Sequence, residues 1–189
     1  MATQTTGLTS FQSALPYGGA RPSLFEFTVS ATPTGVSATL SDAHLYCNVS
    51  EIPPLTLTPI ERQYFGRTVK IPGDIVFGDL STTIYQTEKG TERLGVEKWM
   101  DLINGHVSNV SGLEGVTADF MGKYSATGTL TQYAKDGTST LSTVTFVDLW
   151  PQAVTEIPLS YDTASDLEQF DVTWSYNHYN VTIGSTSYT

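Results

Sequence analysis

The residues that could perform chemistry are few and scattered along this sequence. His44, His106 and His178 lie far apart, and none has a neighbour at the spacing of a metal site. Cys47 is the single cysteine, so no disulfide can form within the chain, and we interpret it as a small buried apolar residue. Neither a glycine-rich phosphate loop before a helix nor a Gly-x-Ser-x-Gly motif occurs. We therefore predict no enzyme and no bound metal or cofactor.

A group of carboxylates towards the C-terminus is the next candidate site. It consists of Asp162, Asp166, Glu168 and Asp171. The spacing does not match a twelve-residue calcium-binding loop. After Lys135 the chain contains no lysine or arginine, so its last part is acidic throughout. We interpret the group as a solvated patch or as a surface that faces a partner.

A small basic island contrasts with this acidic segment. Arg62, Arg67 and Lys70 lie close together in a chain that has nine Lys and Arg against nineteen Asp and Glu, with a net charge of −10. The island and the acidic segment could be neighbours on the surface of one subunit. They could equally join two copies head to tail, which would produce rings or filaments. The net charge argues against tight binding of nucleic acid.

The elements that must position these groups are mostly strands. Abundant Thr, Val and Tyr and an alternation of apolar residues predict about seven to nine strands. The dipeptide Asp136-Gly137 predicts a hairpin turn between two long strands. We also predict a shorter strand or a turn at residues 158–162. The predicted strands are 23–29, 43–50, 67–71, 74–85, 119–134, 139–150 and 169–179.

The segment around the basic island contains several residues that break regular structure. Three prolines within 51–61 predict a projecting or crossing loop rather than a central strand. Gly66 predicts a bulge or a close backbone approach. Pro72 and Gly73 fit the two central positions of a type II turn.

One amphipathic helix is predicted at 91–104. Thr91 is placed to cap its start, and Gly105 follows its end. The apolar residues recur at helical spacing and predict one stripe that packs against a sheet. The stripe consists of Val96, Trp99, Met100 and Ile103.

We divide the chain into three parts. We predict that residues 1–20 form a flexible N-terminal arm, that residues 21–180 form a single β domain, and that residues 181–189 form a C-terminal tail. No apolar run is long enough to span a membrane, and no signal peptide is recognisable, so we expect synthesis in a cytoplasm.

Four blocks of the sequence resemble the tail tube proteins of contractile-tailed phages. They are ARPSLFEF, YFGRTVKIPGD, EKWMDLIN and LWPQAVTEIPLSYDTASDLEQFDVTWSYNHY, and their order follows that family over most of 20–180, least well at 106–119. The resemblance implies a mainly β fold, as a β-barrel or two packed antiparallel sheets with one flanking helix. It also implies hexameric rings stacked into the inner tube of a virion tail. Its partners would be the sheath, tape measure, baseplate and terminator proteins.

The resemblance gives the charge pattern a function. Phage DNA would pass through the bore of the tube, and an acidic wall would repel it rather than bind it tightly. The basic island would then contact the acidic segment of an adjacent copy. The predicted contact residues are Arg62, Tyr64, Phe65, Arg67, Lys70, Asp162, Asp166, Glu168 and Asp171.

Three other interpretations remain open from the sequence. The chain could be the tube subunit of a phage-derived injection or secretion system, or a tube initiator or terminator. It could also be a monomeric β-sandwich that binds sugars or another surface through exposed aromatic side chains. Tyr161, Trp174 and Tyr176 are the residues that such a site would use.

Overall fold

Antiparallel strands dominate the computed structural model, which describes residues 13, 15, 19–33, 36, 46–111, 121–163, 166–184 and 186–188. The strands are β1 Phe25–Ser30, β2 Cys47–Ser50, β3 Leu55–Tyr64, β4 Arg67–Phe77, β5 Leu80–Tyr85, β6 Ala126–Tyr133, β7 Thr140–Val154, β8 Gln169–Ser175, β9 His178–Ile183 and β10 Thr186–Tyr188. The helices are α1 Thr91–Ile103 and the short α2 Met121–Tyr124, with a 3₁₀ turn at Tyr161–Thr163.

Two antiparallel sheets share strand β7. Sheet A has the order β1-β6-β7-β9-β10, and sheet B has the order β7-β8-β5-β2. Strands β8 and β9 pair one after the other with the same edge of β7. The register is unchanged where β8 gives way to β9, since Trp150 lies opposite Ser175 and Val147 lies opposite His178. This two-stranded ribbon bends from one sheet into the other at Asp148, whose φ is 58°. The Asp148 carboxylate accepts a hydrogen bond of 2.6 Å from the Asn177 amide and so fixes the bend.

The core lies between the sheets and under α1. Trp174 of β8 is 1% exposed, and its ring lies 6.0 Å from Phe27 of β1 and 5.8 Å from Trp99 of α1, measured between centroids. Its indole N–H donates to the hydroxyl of buried Thr82 at 2.8 Å. Trp174 therefore joins both sheets and the helix in one cluster.

The prediction of a mainly β fold with two packed sheets and a flanking helix is confirmed. The strands described here do not close into a barrel. The strand at 23–29 and the hairpin at Asp136–Gly137 are also confirmed. The single strand predicted at 169–179 is instead divided into β8 and the start of β9, with a break at 176–177. Of the predicted strand 43–50, residues 47–50 form β2, and 41–45 lie outside the described residues, as does most of the arm assigned to 1–20.

Two predictions about loops and ends were wrong. The segment 51–61 was predicted to be a loop, but Leu55–Tyr64 is strand β3, paired with β4 in a sheet of two strands. The tail assigned to 181–189 contains the end of β9 and strand β10. Val181 pairs with Val144 of β7, because the pairing register at the end of β8 continues through β9 along the same edge of β7.

Helix α1 places its stripe as predicted but begins differently. Val96 and Trp99 are fully buried, and Met100 and Ile103 pack against the core at its margin. Thr91 does not cap the helix, since the N-cap residue is Gly90 in the left-handed conformation with no side-chain cap. Instead, the Arg93 N–H donates to the Gln86 side-chain oxygen at 3.3 Å.

The buried Glu92 carboxylate ties the first turn of α1 to the preceding loop. It accepts hydrogen bonds from the Thr87 N–H at 3.1 Å, from the Thr87 hydroxyl at 2.9 Å and from the Thr91 hydroxyl at 3.0 Å. Burial alone raises the pKa of Glu92, but these hydrogen bonds together outweigh it and hold the pKa below its ordinary value of 4.5.

Glu92 is expected to stabilise the fold at neutral pH and to lose this effect in acid. A carboxylate with a lowered folded-state pKa contributes stability above its unfolded pKa, and the contribution disappears as the pH falls through the folded-state pKa. Glu92→Gln should therefore lower the Tm at about pH 7, with a smaller difference at about pH 3. The control is Glu88→Gln, because Glu88 is exposed in the same loop and accepts no hydrogen bond from a described residue. A Tm difference independent of pH would contradict the prediction.

Candidate assembly surface

Strands β3 and β4 form a long hairpin that stands apart from both sheets. They pair only with each other among the described strands, and every residue of β3 is exposed. The turn consists of Phe65, with φ 44°, and Gly66, with φ 76°. Two successive residues with positive φ indicate a type I′ turn, which suits a two-residue hairpin loop. Gly66 therefore forms the turn rather than the predicted bulge, and the predicted turn at Pro72–Gly73 lies inside β4.

The hairpin has two chemically different faces in its outer half. Paired residues share a face, and the face changes with each step along a strand. One face, which we call the arginine face, consists of the pairs Tyr64–Arg67, Arg62–Val69 and Ile60–Ile71.

The opposite face is polar and internally paired. The Lys70 ammonium lies 3.4 Å from the Glu61 carboxylate, and the Gln63 amide donates to the Thr68 hydroxyl at 3.0 Å. The basic island of the sequence is therefore split between the two faces. Arg62 and Arg67 form no ion pair with any described residue.

Large apolar side chains along the hairpin face water. Tyr64 is 66% exposed and Phe65 is 91% exposed, with their rings in an edge-to-face contact at 4.7 Å. An isolated two-stranded hairpin is marginally stable in water, and an exposed apolar patch of this kind marks an interaction surface. The other exposed apolar residues of the hairpin are Leu55, Leu57, Ile60, Val69, Ile71, Ile75 and Val76.

The base of the hairpin is anchored to the domain by aromatic rings. Phe77 lies 6.3 Å from Tyr176 and 5.4 Å from Tyr179, measured between ring centroids. The Tyr176 hydroxyl donates to the Gly78 carbonyl at 2.5 Å. Burial of Tyr176, helped by Tyr179 and by the charge of Asp79, raises its pKa to about 12. The neutral hydroxyl therefore keeps its proton and holds the base in place.

A bulge divides the hairpin between its anchored base and its outer half. The register shifts between Leu57 and Pro59, with one extra residue on β4. Gly73 lies at this shift, and a Cβ atom there would lie 2.5 Å from the Thr58 carbonyl oxygen. The close approach of the two backbones therefore requires glycine.

Three of the carboxylates predicted from the sequence, Asp166, Glu168 and Asp171, border a groove of about 460 Å³. We call this the acidic groove. It is lined by segments 155–160 and 166–171, which are held together by hydrogen bonds between Thr155 and Asp171. Leu159 and Leu167 are 80% and 71% exposed at its surface. Its four carboxylates are Glu156, Asp166, Glu168 and Asp171.

Three of the four predicted acidic residues therefore line one groove. Asp162 lies in the neighbouring 3₁₀ turn and does not line it. Glu156 was not singled out by the sequence, because only the fold brings 155–160 beside 166–171. One cation lies close by: Arg93 donates to the Thr155 carbonyl at 2.8 Å, but its charge is paired with Glu97 at 2.7 Å.

Comparison with known families identifies the family to which this chain belongs. The protein-family model described as phage tail tube protein matches residues 13–182 of this chain. The chain belongs to the phage tail tube protein family. It is 24% identical to tail tube protein gp19 of Enterobacteria phage T4 over 160 residues, which cover 85% of this chain and 90% of that protein. Tail tube protein gp19 of Enterobacteria phage T6 is 25% identical over 160 residues, again covering 85% of this chain and 90% of that protein.

Solved structures show the same tail tube fold. A chain of the PVC sheath–tube complex, an extracellular contractile injection system in its extended state, matches with a TM-score of 0.63 and 17% identity. The match covers 95% of this chain and 100% of that chain. The tube-terminating cap of the anti-feeding prophage also has a TM-score of 0.63, at 12% identity, with coverage of 88% and 92%. The predicted resemblance is confirmed.

The aromatic residues of the sugar-binding alternative do not form a common exposed patch. Trp174 is buried, Tyr176 packs under the base of the hairpin, and only Tyr161 is fully exposed. Cys47 is half-buried, and burial raises the pKa of its thiol to about 12, which keeps it protonated and unreactive. In the described part of the tail tube chain, no three His, Cys, Asp or Glu residues cluster as metal ligands would, and no helix could cross a membrane.

Proposed function

We propose that six copies of this chain form a ring and that the rings stack into the inner tube of a contractile phage tail. The exposed apolar hairpin carries this proposal, because such a surface is suited to contact with another copy rather than with water. The DNA passes through the bore without tight binding, since the acidic chain repels a polyanion. The function is mechanical and needs no catalysis.

Other tail components complete this proposal. The tube is surrounded by a sheath protein, and its length and ends are set by tape measure, baseplate and terminator proteins. The chain is then made in the cytoplasm of the bacterial host and ends up in the virion. Support for the sheath comes from the PVC match, whose structure is described as a complex of sheath and tube.

The tube of a contractile injection system is the second candidate. The matches to PVC and to the anti-feeding prophage favour it, because the PVC structure is described as an extracellular contractile injection system and the anti-feeding prophage chain, a tube-terminating cap, has the same fold. The charge of the bore distinguishes the two functions. A tube for DNA needs a bore free of exposed cations, whereas a tube for protein cargo has no such requirement.

The test is the state of the purified chain. Negative-stain electron microscopy and light scattering should show rings of six copies or hollow tubes. The control is a variant in which residues 58–73 are replaced by a short Gly-Ser turn; it should fold, because these residues project from both sheets, but stay monomeric. A wild-type chain that remains monomeric over a wide range of concentration and salt would contradict the proposal.

A further inference from the structure

We propose that the arginine face of one copy binds in the acidic groove of a second copy. This inference rests on the proposed self-assembly and names the two surfaces that meet. The face offers two guanidinium groups among apolar side chains, and the groove offers four carboxylates among apolar side chains. The second copy is the occupant that their complementary charges indicate.

The positions of hairpin and groove fit a contact between copies. The hairpin ends at Phe77, and β5 begins three residues later at Leu80, opposite Trp174. At its other end, β5 finishes at Tyr85, opposite Gln169, which lines the groove. At about 3.4 Å per residue, the two surfaces are anchored about 17 Å apart, at opposite ends of sheet B.

A contact between opposite ends is heterologous and repeats from copy to copy. Within the described chain, no ion pair joins Arg62 or Arg67 to a carboxylate of the groove. The two arginines are thus available to a partner. Arginine binds carboxylates through two parallel hydrogen bonds, and a groove of about 460 Å³ has the size of a ligand cleft.

Prolines indicate that the hairpin binds through its faces and not through its edges. In a hairpin with a two-residue turn, the pair next to the turn, here Tyr64–Arg67, exchanges backbone hydrogen bonds. Hydrogen-bonded and non-hydrogen-bonded pairs then alternate along the two strands. Pro59 and Pro72 form the fifth pair after it, which is therefore not hydrogen-bonded. Their backbone nitrogens point outwards, one at each edge, and neither carries a hydrogen. Addition of a further strand is blocked at both edges, so the side chains must make the contact.

The arginine face is the face that lacks internal partners. On the polar face, Lys70 is already paired with Glu61, and Gln63 with Thr68. Binding through that face would first have to break these contacts. The arginine face instead combines free cations with Tyr64 and Ile60, and Arg and Tyr are the residues that dominate the energy of many interfaces.

The experiment uses charge reversal on each surface of the full chain. Arg62→Glu with Arg67→Glu gives a copy whose hairpin and groove are both acidic. Glu156→Arg combined with Asp166→Arg and Glu168→Arg puts three arginines in the groove against the remaining Asp171 carboxylate, which gives a copy whose hairpin and groove are both basic. Both variants should fold with the wild-type circular dichroism spectrum. Each alone should form about tenfold less sedimentable polymer than wild type, since like charges then meet at every contact. An equal mixture should polymerise again, as an alternating copolymer.

The control is Lys70→Glu, which removes a positive charge from the same hairpin on the polar face. The amount of sedimentable polymer formed by Lys70→Glu should stay within about twofold of wild type. The amount formed by Arg67→Glu alone should fall below that range. Equal loss for these two single variants, or no recovery in the mixture, would overturn the proposal. If the wild-type chain itself forms no polymer, the proposed function fails. If wild type and the arginine double variant polymerise equally, only this contact is wrong.

Discussion

Replacing Trp174 by alanine is expected to lower the free energy of unfolding by about 3–5 kcal/mol, the range for a large aromatic side chain removed from a packed core. Trp174 is 1% exposed and touches Phe27 of sheet A and Trp99 of α1, so no neighbour can move to fill the space without disturbing another element. Urea unfolding of the unassembled subunit, followed by far-UV circular dichroism, measures the loss. A loss below about 1 kcal/mol would show that the two sheets are not held together through this residue.

Thr82→Val provides the matched control for Trp174. It keeps the volume of the side chain but removes the hydroxyl that accepts the indole N–H at 2.8 Å. The buried N–H then has no partner, which costs about 1–3 kcal/mol. The effect of Thr82→Val should therefore be smaller than that of Trp174→Ala, and the two losses should not add, because they act on the same contact.

Replacing Gly73 by alanine is expected to abolish assembly while leaving the domain folded. The new Cβ atom would lie 2.5 Å from the Thr58 carbonyl oxygen, and a backbone atom cannot move aside as a flexible side chain can. The two strands must separate at the bulge, so the outer half of the hairpin loses its position. The Tm of the domain should change little, because the hairpin pairs with neither sheet. Sedimentation and negative-stain microscopy should show the loss of polymer.

Gly137→Ala is the control for this substitution. Gly137 also has a positive φ, at 71°, and lies in the turn between β6 and β7, with no atom within 4 Å of a Cβ. It should cost about 1–2 kcal/mol of stability through its left-handed backbone, with assembly retained. Normal polymer from Gly73→Ala would show that the position of the outer hairpin does not matter for assembly.

The sequence predicted the parts of the fold that repeat with a clear period. The stripe of α1 predicted that Val96 and Trp99 pack against a sheet, and both are buried. The alternation of apolar residues likewise predicted the strand that contains β8. The hairpin was missed because Pro59 and Pro72 suggest the end of a strand. In fact Pro59 and Pro72 face each other in a non-hydrogen-bonded pair, so neither backbone nitrogen would donate to the partner strand. The two prolines therefore do not interrupt the hairpin.

The candidate site was predicted only in part. Arg62, Arg67 and Lys70 were recognised as a basic island, but local spacing alone could not show that Glu61 pairs with Lys70 on the far face. Asp166, Glu168 and Asp171 were recognised as an acidic group. Glu156 and the exposed Leu159 were not, because a groove exists only once the chain has brought two separate segments together.

The location of the hairpin and the groove at opposite ends of sheet B has a consequence for polymer growth. A filament joined in this way is polar: at one terminus the last subunits display empty grooves, and at the other they display unused hairpins. Elongation can then proceed in a single direction from a seed that offers only one of the two surfaces. A blocking factor needs to mimic only one partner to stop growth, and it leaves the opposite terminus untouched.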